Sequence, residues 1–564
     1  MECLLGSLRE AGATSGFEIL AFEQSKAFGH GPVYATGQTD SNWINISERA
    51  LDLPPRAALC IGTLQIPPFA DYLSWAQLDF DATPPDEIDT FPPRSKIGRY
   101  LEERFVSLST PLIEAGVLHV VNETADKISN DEGHWQVITD SGTKHRVDDL
   151  LLAVGHQPTA LDDQIKAWNE HATSLSNLVL FKDPYPVEEI LEAVRASKTV
   201  RMAIRGYGLA TMDVVRAVAL EFGVFEVVDP SLGTLRYKAD DDADVVMVPF
   251  SLDGLTMGPK PLNSAMDAQF APSDETLDLL GDHLSDRNSQ EEACGANFLT
   301  DVMGRIAATV YLDIENRYDG ENVRGQSELE ALATNWMADQ TYSHPVFLDV
   351  TIKPEETLDR LAAMGSGEGA VSFDYCIGQV WRHCQPTIYA ALSYSALSDE
   401  IMAKIISVDE SMKRYAYGPP VASLRQLKAL HDAGLLNLKF LGDPSISTDT
   451  SCWTLTANGR DFKALMMINA VLDSPKIKSV TANILTSLLK DGLIDPVHDD
   501  LGISTREDGY IETADGREDV PIAFLGRLAK GTVIGVDAIK ECFGQRVKAW
   551  SREAVRKAAP RFNE

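Results

Sequence analysis

The sequence is short of positive charge: 50 Lys and Arg stand against 84 Asp and Glu over 564 residues, a formal net charge of −34. Nucleic acid and anionic membranes both require clustered Lys and Arg, so neither is expected as the main partner. Cysteine is scarce too. Cys3, Cys60, Cys294, Cys376, Cys384, Cys452 and Cys542 are odd in number, scattered and without a CxxC pair. That excludes a disulfide framework and points to reduced thiols in the cytoplasm. His383-Cys384 and Cys376 lack zinc-site spacing, so no metal is expected. No apolar run approaches the roughly 18 residues that span a bilayer. The opening MECLLGSLREAG places Glu2 where a secretory signal would carry basic residues. With 44% apolar and 24% charged residues, bulk disorder is excluded. At roughly 150 residues per domain, the length suggests two to four units.

What is present is alternation of strands and helices. Leu4, Leu5 and Leu8 have helical spacing before Gly12, and FEILAFE (17–23) reads as a strand ending in Glu23. Pro- and Trp-rich loops follow to about residue 92, then a helix through Ile97, Leu101, Phe105 and Leu108. WQVITDSGTKHRV reads as two strands around a turn, and DDLLLAVG (148–155) as a buried strand. TVRMAI, RGYGLATMD and VVRAVAL form a strand, turn and helix over 199–220. The pattern predicts α/β architecture with parallel sheets. The acids Asp240, Asp241, Asp242 and Asp244 read as a solvated hairpin tip before the strand VVMVPF (245–250). Residues 270–292 read as a surface excursion, and 300–440 as mostly helical. Gly365 to Gly369 lacks the GxSxG order of a nucleophile elbow and reads as a flexible loop. Near the end come a strand, PIAFLG (521–526), a turn through Gly531, and a helix over about 536–543.

Chemistry is concentrated in the turns. Gly206-Tyr207-Gly208 lies between a strand and a helix, where glycines admit a pyrophosphate to the helix N-terminus. Thr211 stands where the fingerprint carries Gly or Ala, so a ligand-free tight turn remains equally open. Asp213, in the first helical turn, suits the helix dipole. An acid ending the second strand of such a unit binds ribose about 20 residues after a glycine loop. Counting back from Glu23 reaches the start of the chain, so that loop and its strand are expected to be missing. By itself Glu23 is an acid at a strand end. No residue identifies itself as a catalytic acid, base or nucleophile.

The segment FEILAFEQSKAFGHGPVYATGQTDSNWINIS (17–47) resembles the FAD/NAD(P)-binding family of bacterial flavoproteins, which is similar to amino-acid N-hydroxylating monooxygenases. Further matches are FPPRSKIGRYL (91–101), LLLAVGHQP ending at Pro158, RGYGLATMDVV (205–215), KRYAYGPPVASLRQLKALHDAGLL (413–436) and FLGRLAKGTVIGVDAI (524–539). The resemblance implies that Glu23 meets the adenosine ribose of FAD, and that Gly29, Gly31, Trp43 and Asn45 line the flavin, with Arg94 nearby. It places Gly155 and His156 beneath the cofactor, and Gly526, Gly531 and Thr532 over it. Gly206, Gly208 and Asp213 belong to the nicotinamide side. Structural alternatives stand beside these roles: Asn45 capping a turn, Trp43 filling core, Arg94 pairing with a carboxylate.

The N-terminal strand and GxGxxG loop of the family are expected either to lie upstream of Met1 or to be lost in a truncation with weakened flavin binding, and the sequence carries Leu252-Asp253 where the family often has Arg after Ser. A carboxylate there repels a 2′-phosphate and argues against NADPH. The fold implied is α/β and Rossmann-like: a two-part FAD domain (1–195 and 441–564), a nicotinamide-dinucleotide domain (196–300) and a helical region (301–440). The activity implied is that of a cytoplasmic FAD-dependent, NADH- or NADPH-linked oxidoreductase, monooxygenase-like, acting on a small molecule such as an amine or amino acid. The rival is a degenerate, non-catalytic module with weakened FAD affinity.

Overall fold

A computed structural model describes residues 1–559 except 14, 81–82, 176, 198, 231–232, 319–324, 450, 473, 499–500, 518 and 537. The chain is mixed α/β. Its central sheet is parallel, in the order Val245–Phe250, Val200–Arg205, Met466–Asn469, Val179–Phe181. Met202, Ala203 and Ile204 are fully buried, as in a strand covered on both faces. The strands come from three of the four ranges read from sequence, so the boundaries at 196 and 441 both run through this sheet. Gly206 to Gly208 connect its second strand to the helix Leu209–Leu220, whose residues Ala210 to Ala219 are all buried.

Two smaller parallel pairs serve the N- and C-terminal parts. Ile19–Phe22 pairs with Leu118–Val121, and Leu150–Leu152 pairs with Ile522–Phe524. The antiparallel strands Ala125–Asp131, His134–Thr139 and Lys144–Val147 lie between them in sequence. Phe22 packs against the core formed by Leu150, Leu152, Ile522 and Phe524.

The helical part is built by local rules. In Asp399–Ala416, Ser398 accepts a capping bond from the Ile401 N–H, acids occupy the first turn, and Lys413 and Arg414 the last. Met402, Ile405, Ile406, Asp409, Met412 and Tyr415 form its buried stripe. Phe373–Leu392 packs beside it, with Trp381 and Phe373 fully buried.

Several expectations need correction. Residues 270–292 are not a surface excursion: Asp274–Ser285 and Arg287–Glu291 are helices, and Leu280 and Leu284 are core. The helical run therefore starts at Ser264 rather than 301. The acids at 240–244 do not form a hairpin tip. They join Thr234–Ala239, paired with Gly223–Asp229, to Val245–Phe250 in the central sheet. The strand read over 148–155 is only Leu150–Leu152, and the stretch read as loops to residue 92 holds a hairpin, Leu59–Ile61 with Leu64–Ile66, and a short helix, Tyr72–Ala76. Only Gly365 of Gly365–Gly369 is helical; 366–369 form the turn expected there, with buried Ser366 donating to the Ala362 carbonyl. The helix near 536–543 is a 3₁₀ turn at Ile539–Phe543, followed by a helix, Gln545–Ala558, that the sequence reading missed.

Candidate functional site

Four of the residues singled out in the sequence converge where the N-terminal part meets the central sheet and the helices. Trp43 bridges to Pro93, which places Arg94 at the start of the helix Arg94–Glu114. Arg94 Nη2 donates to Asp213 Oδ2 at 2.9 Å, and the Tyr185 hydroxyl donates to the same oxygen at 2.7 Å. Arg216, one turn after Asp213, donates to Asp213 Oδ1 at 3.1 Å and to Gln426, the Ser41 carbonyl and Ser423. Its guanidinium stacks over the Trp43 ring, 4.0 Å from the centroid. Asp213 and Arg216 side chains are each 5% exposed. Burial lowers the pKa of Arg216, and Asp213 opposes that shift. Asp213 is thus the anionic centre of a buried ion network, beyond any service to the helix dipole, and Arg94 pairs with a carboxylate 119 positions away.

Asn45 donates through Nδ2 to the Tyr417 carbonyl at 3.0 Å, while Lys260 Nζ donates to the Asn45 carbonyl. Lys260 was not singled out in the sequence, where it is one basic residue between two prolines. Its pKa is pushed down to about 7 by burial and by Arg382, with Asp267 and Asp89 opposing. Asp267 is held by Arg382 and by His383 at 3.2 Å, and its pKa falls well below the carboxylate range. Among the described residues no His, Cys, Asp and Glu group could hold a metal ion. Cys376 and Cys384 are buried, and all seven cysteines are free thiols.

Glu23, Gly155, His156 and Gly526 lie just beyond strand ends. Glu23 follows Ile19–Phe22; its carboxylate accepts from the Ser25 N–H at 2.9 Å and the Ser25 hydroxyl at 2.6 Å. Gly155 and exposed His156 follow Leu150–Leu152, and Gly526 follows the adjacent, parallel Ile522–Phe524. In open α/β sheets, ligands bind beyond the carboxyl ends of the strands.

The glycines divide by what a side chain would meet. At Gly155, Gly526 and Gly31 there is nothing within 4 Å. At Gly29 a Cβ would lie 2.7 Å from Phe105 Cβ, at Gly206 3.2 Å from Ala470, and at Gly531 2.9 Å from Val497. The first group, at φ of +62°, +90° and +61°, faces open space, and at the second packing also leaves no room for a side chain. Gly208, at the start of a 12-residue helix, has only the Met257 sulfur at 4.0 Å and an ordinary φ of −105°. Thr211 hydroxyl donates to the Gly206 carbonyl at 2.9 Å and ties that turn. Leu252 is 89% exposed, and Asp253 accepts from the Leu255 N–H at 3.0 Å.

The helices contribute a second buried carboxyl that the sequence did not mark. Asp409 accepts from Trp381 Nε1 at 3.0 Å and from the Tyr389 hydroxyl at 3.2 Å, and burial raises its pKa. Above it, Lys530 pairs with Glu410, and the Thr532 carbonyl accepts from the Tyr394 N–H at 3.0 Å.

No curated protein matches the sequence. Among solved structures, OTEMO in complex with FAD and NADP is 10% identical, covers 99% of this chain and 82% of its own, and has a TM-score of 0.43. Oxidised steroid monooxygenase bound to NADP is 12% identical, covering 99% and 84%, at a TM-score of 0.39. An open cyclohexanone monooxygenase is 10% identical, covering 99% and 85%, at 0.38. Residues 3–157, which hold Glu23, the open glycines Gly31 and Gly155, and the Trp43–Arg94 junction, match the FAD-NAD(P)-binding family.

Proposed function

We propose that this chain is an FAD-dependent, NAD(P)H-linked oxidoreductase of monooxygenase-like character that acts on a small molecule in the cytoplasm. The observation that carries the reading is the family match over 3–157 together with open backbone at Gly155 and Gly526, side by side beyond two parallel strands. In this reading 1–195 and 441–564 supply the FAD domain, 196–300 the nicotinamide domain and 301–440 the helical region. Glu23 would take the ribose hydroxyls, exchanging its bonds to Ser25. Gly31, Gly155 and Gly526 would let the cofactor lie against the main chain. Gly208 would admit the nicotinamide pyrophosphate to the helix N-terminus. FAD, when bound, supplies the electron transfer between nicotinamide, oxygen and substrate.

The chain's own part is to bind and orient. The Arg94–Asp213–Arg216 network holds the N-terminal part on the central sheet, so that Asn45 and Lys260 keep a fixed position. Lys260, whose pKa burial and Arg382 push down to about 7, donates to the carbonyl of Asn45, the residue that would line the flavin. Scattered free thiols support the cytoplasmic assignment. The test is a titration of purified protein with FAD, followed by anaerobic mixing with NADH and with NADPH. Bleaching of bound flavin is expected, faster with NADH because of Asp253. Absence of any flavin binding favours a degenerate module, and a clear NADPH preference overturns the role of Asp253.

A further inference from the structure

The loop 258–262 belongs to the helical part. The Gly258 N–H donates to the Arg414 carbonyl at 3.0 Å, the Lys260 N–H to the Pro419 carbonyl at 2.9 Å and the Leu262 N–H to the Gly365 carbonyl at 2.8 Å. The Tyr375 hydroxyl and Gln379 both donate to the Pro259 carbonyl. The Lys260 side chain crosses from there to the N-terminal part, where its ammonium donates to the Asn45 carbonyl. Around it the junction is bridged by neutral bonds. Asn45 Nδ2 donates to the Tyr417 carbonyl at 3.0 Å, the Asp89 N–H to the Leu262 carbonyl at 2.9 Å, and the Ala265 N–H to the Pro85 carbonyl at 2.9 Å.

The carboxylates that act on this ammonium, Asp267 and Asp89, are taken by other cations. Asp267 is held by Arg382 and by His383 at 3.2 Å, with Arg49 at 3.7 Å. Asp89 accepts two bonds from Arg49, at 2.9 and 2.7 Å, and Glu48, three residues past Asn45, is held by Lys96 at 2.6 Å. At the end of the helix Asp399–Ala416, Arg414 donates to Gln340 and to the Tyr415 hydroxyl. Among the described residues Lys260 forms no ion pair. A desolvated ammonium that meets a neutral carbonyl and a nearby guanidinium, with no counter-charge of its own, is relieved by losing its proton. The pKa of Lys260 moves in that direction, through burial first and Arg382 next.

We infer that Lys260 is a pH-responsive tether between the helical and N-terminal parts: deprotonated, it lets them close on one another, and protonated, it loosens the junction and with it the position of Asn45. In the open state a solvated Lys260 keeps its ordinary value of 10.5, against about 7 when closed. Below about pH 7 both states are protonated and the junction is weakest. Above that, the closed state gives up the proton while the open state keeps it, so closure tightens about tenfold per pH unit up to about pH 10. The inference goes beyond the flavin reading and does not depend on it, because opening is measured without cofactor.

The experiment is hydrogen–deuterium exchange of the full chain at pH 7, 8 and 9, with each rate divided by the intrinsic amide rate at that pH. Peptides over 85–92 and 262–268 report the junction, since the Asp89 and Ala265 N–H groups bond across it. The strand Ala125–Asp131, paired within its own hairpin, is the reference. Junction protection is expected to rise at least tenfold between pH 7 and pH 9 while the reference stays level. Lys260→Gln keeps a donor for the Asn45 carbonyl without the charge, and Lys260→Met removes both; in each the junction should be level across the range. Level protection in the parent, the same rise in a neutral variant, or an equal rise in the reference overturns the inference. The parent profile needs no substitution, so a variant that fails to fold leaves the test intact. Failure to bind FAD, measured separately, removes the flavin reading and leaves this result standing.

Discussion

The junction around Asp213 and the strand ends around Glu23, Gly155 and Gly526 were marked by the same sequence resemblance, yet they are chemically opposite. At the junction, every marked polar group is engaged by protein: Arg94 by Asp213, Asn45 by Tyr417, and Asp213 by Arg94, Arg216 and Tyr185. At the strand ends, the Glu23 carboxylate accepts from Ser25 within its own turn, and two glycines face open space. A motif residue can thus be required because it touches a ligand or because it ties two parts of the chain together. The two cases separate by whether a substitution damages folding or binding.

The largest effect is expected at the junction. Asp213→Ala leaves the buried Arg216 and Arg94 without a counter-charge, which costs about 3–5 kcal/mol. Denaturant unfolding should show that loss directly, and an unchanged midpoint would break the contrast. The second effect concerns the strand that leads to Gly155. Asp149, just before it, receives the Tyr510 hydroxyl at 2.5 Å, and burial pushes its pKa up to about 6 from an ordinary 3.8. The fold therefore favours the protonated carboxyl. Its contribution is full below about pH 4 and is lost as pH rises through about 6, a difference of about 3 kcal/mol. Asp149→Asn should gain stability relative to the parent over that window, followed by unfolding at pH 4 and pH 7.

A third, smaller effect is expected at the open end. Glu23→Ala removes a charge-assisted contact to ribose, worth about 1.5–3 kcal/mol, and so weakens FAD at least tenfold. Unfolding should be unaltered, and equal FAD affinity would leave Glu23 as a strand-end acid. The finest comparison sets Gly29→Ala against Gly155→Ala. Both sites have positive φ, +97° and +62°, and share that strain. Only at Gly29 does the new methyl meet packed atoms, adding about 1–3 kcal/mol of destabilisation. Gly155→Ala should instead act on FAD affinity, so the pair is resolved by melting temperature against FAD titration.

Much of the fold was legible. The strands Ile19–Phe22, Val200–Arg205 and Val245–Phe250 and the helix Leu209–Leu220 fall where apolar runs and glycine turns placed them. Their signals are local, because period and turn chemistry act within a few residues. What misled was context. The acids at 240–244 looked like a hairpin tip because strands flank them, but those strands join different sheets. Residues 270–292 looked like surface because they are acidic, although Leu280 and Leu284 point one stripe into the core. At the site, Arg216 and Lys260 gave no signal, since a single basic residue in a helix or between prolines is ordinary in sequence.

The sequence by itself determined the α/β alternation, the glycine turns, the lack of an apolar run long enough to span a bilayer and the excess of acid, because each depends on residue type and short spacing. Only the tertiary structure decided which motif residues are tied to one another and which remain open. Asp213 and Arg94 meet across 119 positions, and Gly29 is filled by Phe105 while Gly155 is not. Such contacts are set by how distant elements pack and how far they exclude water, and no local pattern in the chain carries that information.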